Sequence, residues 1–123
     1  MPVPVNRILY VEDEPDIRAI ARMALEAVGG FAVIACASGS EALAAAPGAA
    51  VDLLLLDVMM PGMDGPSTLQ ALRQLPATAG TPVIFMTAKV QPAEVAQYKA
   101  LGALDVIAKP FDPMELPAQI RQI

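Results

Sequence analysis

Short apolar runs alternate with longer stretches in which apolar positions recur every three or four residues, and the alternation repeats along the whole chain. The most telling stretch is residues 51–65, VDLLLLDVMMPGMDG. Its four leucines at 53–56 run without a break and stop on a carboxylate, Asp57. Pro61, Gly62, Asp64 and Gly65 follow, a turn-rich segment that cannot extend a strand. An apolar run between polar ends is the pattern of a strand buried on both faces, as in a parallel sheet covered by helices. Ligands of such sheets bind outside the carboxyl ends of the strands, which is where this reading puts Asp57.

The same pattern predicts the other elements. Residues 7–11 (RILYV) form a first strand that ends on Glu12, Asp13 and Glu14. Pro15 then suits the first turn of a helix, where its missing N–H costs nothing. Ile17, Ile20, Ala21, Ala24, Leu25 and Val28 recur at the spacing of one buried face, with Arg18, Arg22 and Glu26 on the other and Gly29-Gly30 as the stop. Residues 31–36 are a second strand. Ser38 and Glu41 have capping-box spacing ahead of an Ala-rich helix that ends near Pro47-Gly48. Gly65-Pro66 open a helix to about residue 75, with Leu69 and Leu72 facing inward. Residues 81–86 are a fourth strand ending at Thr87, and residues 92–101 a fourth helix stopped by Gly102. Residues 104–108 are a fifth strand, followed by Lys109-Pro110-Phe111. The last helix opens with Asp112 as N-cap, Pro113 at its first position and Glu115 completing a capping box. Pro117 predicts a kink there, or a helix that becomes regular only beyond it. Five repeats of strand and helix imply an α/β fold, a doubly wound parallel sheet with right-handed crossovers.

At 123 residues the chain is expected to form a single domain, 1–123, with residues 1–6 as a frayed lead-in. Apolar residues make up 55% of it but aromatics only 4%, so the core must be built from Ala, Val, Leu, Ile and Met. The net charge of −5 argues against a surface that holds a phosphate backbone, so no direct nucleic-acid binding is expected. With no histidine, His-based triads, His metal sites and an internal phosphohistidine relay are excluded. The single cysteine, Cys36, allows no intramolecular disulfide and reads as an inert core thiol. No apolar run approaches the roughly 20 residues that cross a bilayer, and MPVPVNR lacks the apolar core of a signal peptide. The expectation is a soluble, cytoplasmic chain without membrane contact.

Four of the five strands end on residues suited to phosphoryl chemistry: Glu12 and Asp13, Asp57, Thr87, and Lys109. All open onto one edge of the sheet. Three close carboxylates repel one another, and one takes up a proton unless a cation compensates. Mg²⁺ is the simplest such cation, since it accepts one or two carboxylates and keeps waters and phosphate oxygens in its remaining positions. A free carboxylate beside a lysine and a hydroxyl can act as a nucleophile and become an acyl phosphate.

These residues carry a resemblance. Glu12-Asp13, the run from Asp57 to Gly65, Thr87-Ala88 and Lys109-Pro110-Phe111 make the chain similar to the receiver domain of two-component response regulators, of the chemotaxis-regulator type, along nearly its whole length. The spacing agrees, with 44 residues from Asp13 to Asp57, 30 to Thr87 and 22 more to Lys109. The resemblance implies a flavodoxin-like five-stranded sheet in the order 2-1-3-4-5. It implies that Asp57 accepts a phosphoryl group from a phosphohistidine on a sensor histidine kinase or histidine phosphotransfer protein. Asp13 and Asp57 would bind Mg²⁺ directly, with the backbone carbonyl of Met59 as a further ligand and Glu12 acting through water. Thr87 and Lys109 would each engage a phosphoryl oxygen, and the Lys109-Pro110 bond would be cis. Beyond its own phosphorylation and dephosphorylation, no enzymatic activity is implied, and the output is a change of protein contacts.

Two departures matter. Many receivers carry Tyr or Phe three residues before the lysine, a ring that turns inward when the threonine moves; here the switch pair is Thr87 and Val106, and valine cannot swing as a ring does. Met59 and Lys89 stand two residues past Asp57 and Thr87, where the family tunes acyl phosphate lifetime. Among blander readings, Glu14 is a surface charge near a helix start, and Arg18 and Arg22 are a solvated face. Val95, Tyr98, Val106 and Phe111 would line the surface of the fourth helix, fifth strand and fifth helix. Two rivals remain: a flavodoxin-like electron carrier, which the acidic first loop and lack of tryptophan disfavour, and an aspartyl phosphatase, which lacks the usual second acid at Met59. The chain would be a stand-alone regulator, opening as it does at Met1 without a trailing linker, or a receiver cut from a larger regulator or hybrid kinase.

Overall fold

A computed structural model of the chain describes residues 5–123. Strands β1 (Arg7–Val11), β2 (Ala32–Cys36), β3 (Leu53–Asp57), β4 (Val83–Thr87) and β5 (Asp105–Ala108) form one parallel sheet in the order β2-β1-β3-β4-β5. Helices α1 (Pro15–Met23), α2 (Gly39–Ala45), α3 (Gly65–Arg73), α4 (Pro92–Ala100) and α5 (Leu116–Gln122) alternate with them. The predicted strand order and layering are therefore those found.

Alternation along the strands divides the core in two. Leu9, Val11, Leu54, Leu56, Val83 and Phe85 face Ala42, Ala46, Leu69 and Leu72 on the side of α2 and α3. Ile8, Tyr10, Leu53, Leu55, Ile84, Met86 and Ile107 face Ala21, Leu25, Leu116 and Ile120 on the side of α1 and α5. Every residue of β3 and β4 is buried, which explains why these two strands read as continuous apolar runs rather than alternating ones.

Several expectations need correction. The buried face of α1 is narrower than predicted: Ala21, Ala24 and Leu25 are buried, whereas Ile20 and Val28 are 45% and 50% exposed. The cause at Val28 is a π-helical turn, Ala24–Val28, in which the Gly29 amide donates to the Ala24 carbonyl and the wider turn rotates Val28 out of the face. At the other end of the fold, Asp112 accepts from the Met114 amide at 2.9 Å, but regular helix starts only at Leu116 and Glu115 makes no capping bond. Pro117 thus falls in the first turn, where its missing N–H is harmless. Of the expected frayed lead-in, residues 1–6, residues 1–4 lie outside the described residues. Asn6 is tied down, its amide donating to Asp52 at 2.9 Å and its carbonyl accepting from Ala32 at 2.8 Å.

Candidate functional site

The site lies where the strand order reverses, at the carboxyl ends of β1 and β3. Val11 and Leu56 are register partners, so Glu12 and Asp57, each one residue further on, stand level. Both follow the alternation onto the α1–α5 side, as does Lys109, two residues after Ile107. The ladder persists past the strand ends, with the Glu12 amide donating to the Cys36 carbonyl at 3.0 Å and the Lys109 amide to the Thr87 carbonyl at 2.9 Å. These bonds hold the reactive side chains on rigid sheet rather than on free loop.

Turn chemistry closes the wall behind Asp57. Gly62 takes φ 77°, a conformation glycine adopts without strain. Asp64 caps α3 by accepting from the Ser67 amide at 2.8 Å, a role the sequence reading did not assign although Asp before Gly-Pro is a recognisable cap signal. Gly65 begins the helix so close to the strand that an added Cβ would lie 2.6 Å from the Asp57 carbonyl oxygen.

Glu12 is fully buried and Asp57 is 3% exposed. The Lys109 ammonium donates to Glu12 Oε1 at 2.8 Å and to Asp57 Oδ1 at 3.1 Å. The second oxygen of Glu12 accepts from the Glu14 amide at 3.2 Å. Burial pushes the Asp57 carboxyl up to about 6; the charge of Glu12 adds to this and Lys109 opposes it. Burial by itself favours a neutral Lys109, but its hydrogen bond to Glu12 and the charge of Asp57 outweigh that and hold its pKa above the ordinary value. Near neutral pH the pair is a carboxylate and an ammonium.

Glu12, Asp13, Asp57 and Lys109 line a cavity of about 190 Å³ together with Glu14, Met59, Thr87 and Ala88. Thr87 is buried and its hydroxyl accepts from the Lys89 amide at 3.1 Å, within its own loop and not from the carboxylates. Met59, which also lines the cavity, is 68% exposed. The Lys109-Pro110 bond is cis. Val106 is register partner of Phe85 and lies apart from this cavity, in a groove of about 540 Å³ with Val90, Val95 and Gln119. The predicted surface group separates: Tyr98 packs on Phe85 with ring centres 5.5 Å apart, and Phe111 lies in another hollow with Ile17 and Ile20.

The cluster suits a hard divalent cation. Glu12, Asp13 and Asp57 each offer a carboxylate oxygen, and these oxygens lie within 4.8 Å of one another. Opposite ligands of one Mg²⁺ are about 4.2 Å apart, so the set fits with one carboxylate acting through water. Arg18 is the residue that sequence reasoning missed. It is half-buried, not solvated, and its guanidinium reaches the backbone of this loop.

Comparison with known proteins agrees with this geometry. A family model described as the response regulator receiver domain matches residues 8–121. The chain is 43% identical over 119 residues to the transcriptional regulatory protein CpxR of Escherichia coli, covering 97% of this chain and 49% of that protein. It is 39% identical over 118 residues to the transcriptional regulatory protein ResD of Bacillus subtilis, covering 96% and 48%. The chain thus spans about half the length of these curated relatives. Among solved structures, the chemotaxis protein CheY4 of Vibrio cholerae superposes with a TM-score of 0.87 at 32% identity, covering 98% of this chain and 99% of that one.

Proposed function

The chain belongs to the response regulator receiver family, and from that premise we propose that Asp57 is the residue that accepts its phosphoryl group. A receiver domain catalyses only its own phosphorylation and dephosphorylation, and it works with Mg²⁺. One observation carries the assignment of the acceptor: a buried strand-end carboxylate meets two further acids and a lysine in one small cavity.

In this reading an Asp57 oxygen attacks the phosphorus of a phosphohistidine on a partner protein. The P–N bond breaks, its electron pair leaves with the imidazole, and an acyl phosphate forms on Asp57. Asp13 and Asp57 would hold Mg²⁺, with the Met59 carbonyl as a third protein ligand and Glu12 acting through water, and the ion would supply neutralisation of the phosphoryl charge. Lys109 gives up part of its contact with the carboxylates and pairs with a phosphoryl oxygen, and Thr87 turns its hydroxyl from the Lys89 amide to another. Water attack on phosphorus later releases phosphate and returns the Asp57 carboxylate.

The partner is a sensor histidine kinase or histidine phosphotransfer protein, as for other two-component regulators, and residues 1–123 act as one receiver domain in the cytoplasm. Among the described residues no helix is long and apolar enough to cross a membrane. The output is a changed protein contact and not direct binding of nucleic acid. Transfer from a radiolabelled phosphohistidine protein tests the reading: label should reach this chain with Mg²⁺ and not with chelator. Transfer that ignores chelation would contradict it.

A further inference from the structure

The Glu12-Asp13 turn leaves the sheet at the centre of the fold, and its carbonyls have to find donors once the ladder ends. They find one side chain. Arg18 Nη1 donates to the Glu12 carbonyl at 2.9 Å and also points at the Asp13 carbonyl at 3.4 Å. The Arg18 amide meanwhile closes the first turn of α1 by donating to the Glu14 carbonyl at 2.9 Å. One residue therefore fastens the helix start to the turn that follows β1. The guanidinium is suited to this because a single planar nitrogen carries two N–H groups at a fixed angle. Among the described residues these two carbonyls take no other hydrogen bond.

We propose that Arg18 is a positioning residue for the cation site: by holding the Glu12 and Asp13 backbone it sets where their carboxylates stand relative to Asp57. The proposal rests on the reading of Glu12, Asp13 and Asp57 as that site. Ligands that are not fixed from behind must be ordered when the ion binds, and loss of such supporting contacts commonly weakens metal affinity by about 10–100-fold. Arg18 is only half-buried and Met keeps the apolar stem of its side chain, so Arg18→Met is expected to leave the fold in place.

The test is calorimetric titration of the whole chain with Mg²⁺ alone, beside thermal unfolding in metal-free buffer. Arg18→Met keeps the stem and removes the donors; it should weaken Mg²⁺ binding about tenfold with an unfolding midpoint near that of the parent. Arg18→Lys, which restores a donor without the fork, should fall between the two. Unchanged Mg²⁺ affinity in Arg18→Met overturns the proposal, as does a Lys variant no better than the Met variant. Failure of both Arg18→Met and Arg18→Gln to fold would also overturn it, by making the residue structural. A parent chain that takes up no Mg²⁺ would instead remove the site itself, a distinct result.

Discussion

The Lys109 ammonium is closer to Glu12, at 2.8 Å, than to Asp57, at 3.1 Å, so the lysine is shared between a fully buried acid and the proposed phosphoacceptor rather than reserved for either. The two neighbours act on Asp57 in opposite directions, Glu12 raising its pKa and Lys109 lowering it. Glu12→Gln is therefore predicted to bring the Asp57 carboxyl below about 6, and Lys109→Met to take it higher. Carboxyl-carbon NMR titration in metal-free buffer reads both. A fall in the Lys109 variant would show that the ion pair does not govern Asp57.

The same shift has a stability consequence. A carboxyl raised in the folded state binds its proton more tightly there than in the unfolded chain, so the contribution is present at low pH and lost as pH rises through the folded value. Without metal, the chain should lose stability between about pH 4 and about pH 6, on the order of 3 kcal/mol from this group. Asp57→Asn should flatten that slope. Denaturant titrations across the range measure it, and a rise in stability through the window, surviving in the Asn variant, would contradict the assignment.

Tyr10 is fully buried on β1, and its hydroxyl has no hydrogen-bond partner among the described residues. Burial, with the charges of Glu12 and Asp57, pushes its phenol well above the ordinary value, so it stays neutral. A buried donor left unmade costs about 1–3 kcal/mol, which predicts that Tyr10→Phe gains about 1 kcal/mol in denaturant unfolding. A loss of that size would mean that the hydroxyl is hydrogen-bonded in solution.

Much of the fold was legible because β3 and β4 are buried on both faces and so appear as unbroken apolar runs. The candidate site was legible because its groups stand at strand ends, which a parallel sheet brings to one edge whatever the loops do. Side-chain reach was not legible. Helical spacing assigns Arg18 to the outer face of α1, yet its long side chain bends back to the Glu12 and Asp13 carbonyls. The π-helical turn that exposes Val28 sits where Leu25 is fully buried and Gly29 lies close to Pro117, a long-range contact that local periodicity does not register. Glu12 was expected to serve a cation through water, and the strand alternation that also aims it at Lys109 went unused.

The Thr87 hydroxyl is held by the Lys89 amide, whereas Val106 lies in a separate groove beside Val95. A phosphoryl oxygen competing for that hydroxyl should move Thr87 and residues 88 and 89, while Val106, with no ring to swing, stays nearly still. Structures with and without a phosphoryl mimic test this. A large change at Val106 with a fixed Thr87 would reverse the order of events.

Whether Asp57 accepts the phosphoryl group is read by intact-mass measurement after treatment with acetyl phosphate and Mg²⁺. The parent chain should gain a single phosphoryl group, and Asp57→Asn, otherwise folded, should gain none. Equal labelling of the two would contradict the account.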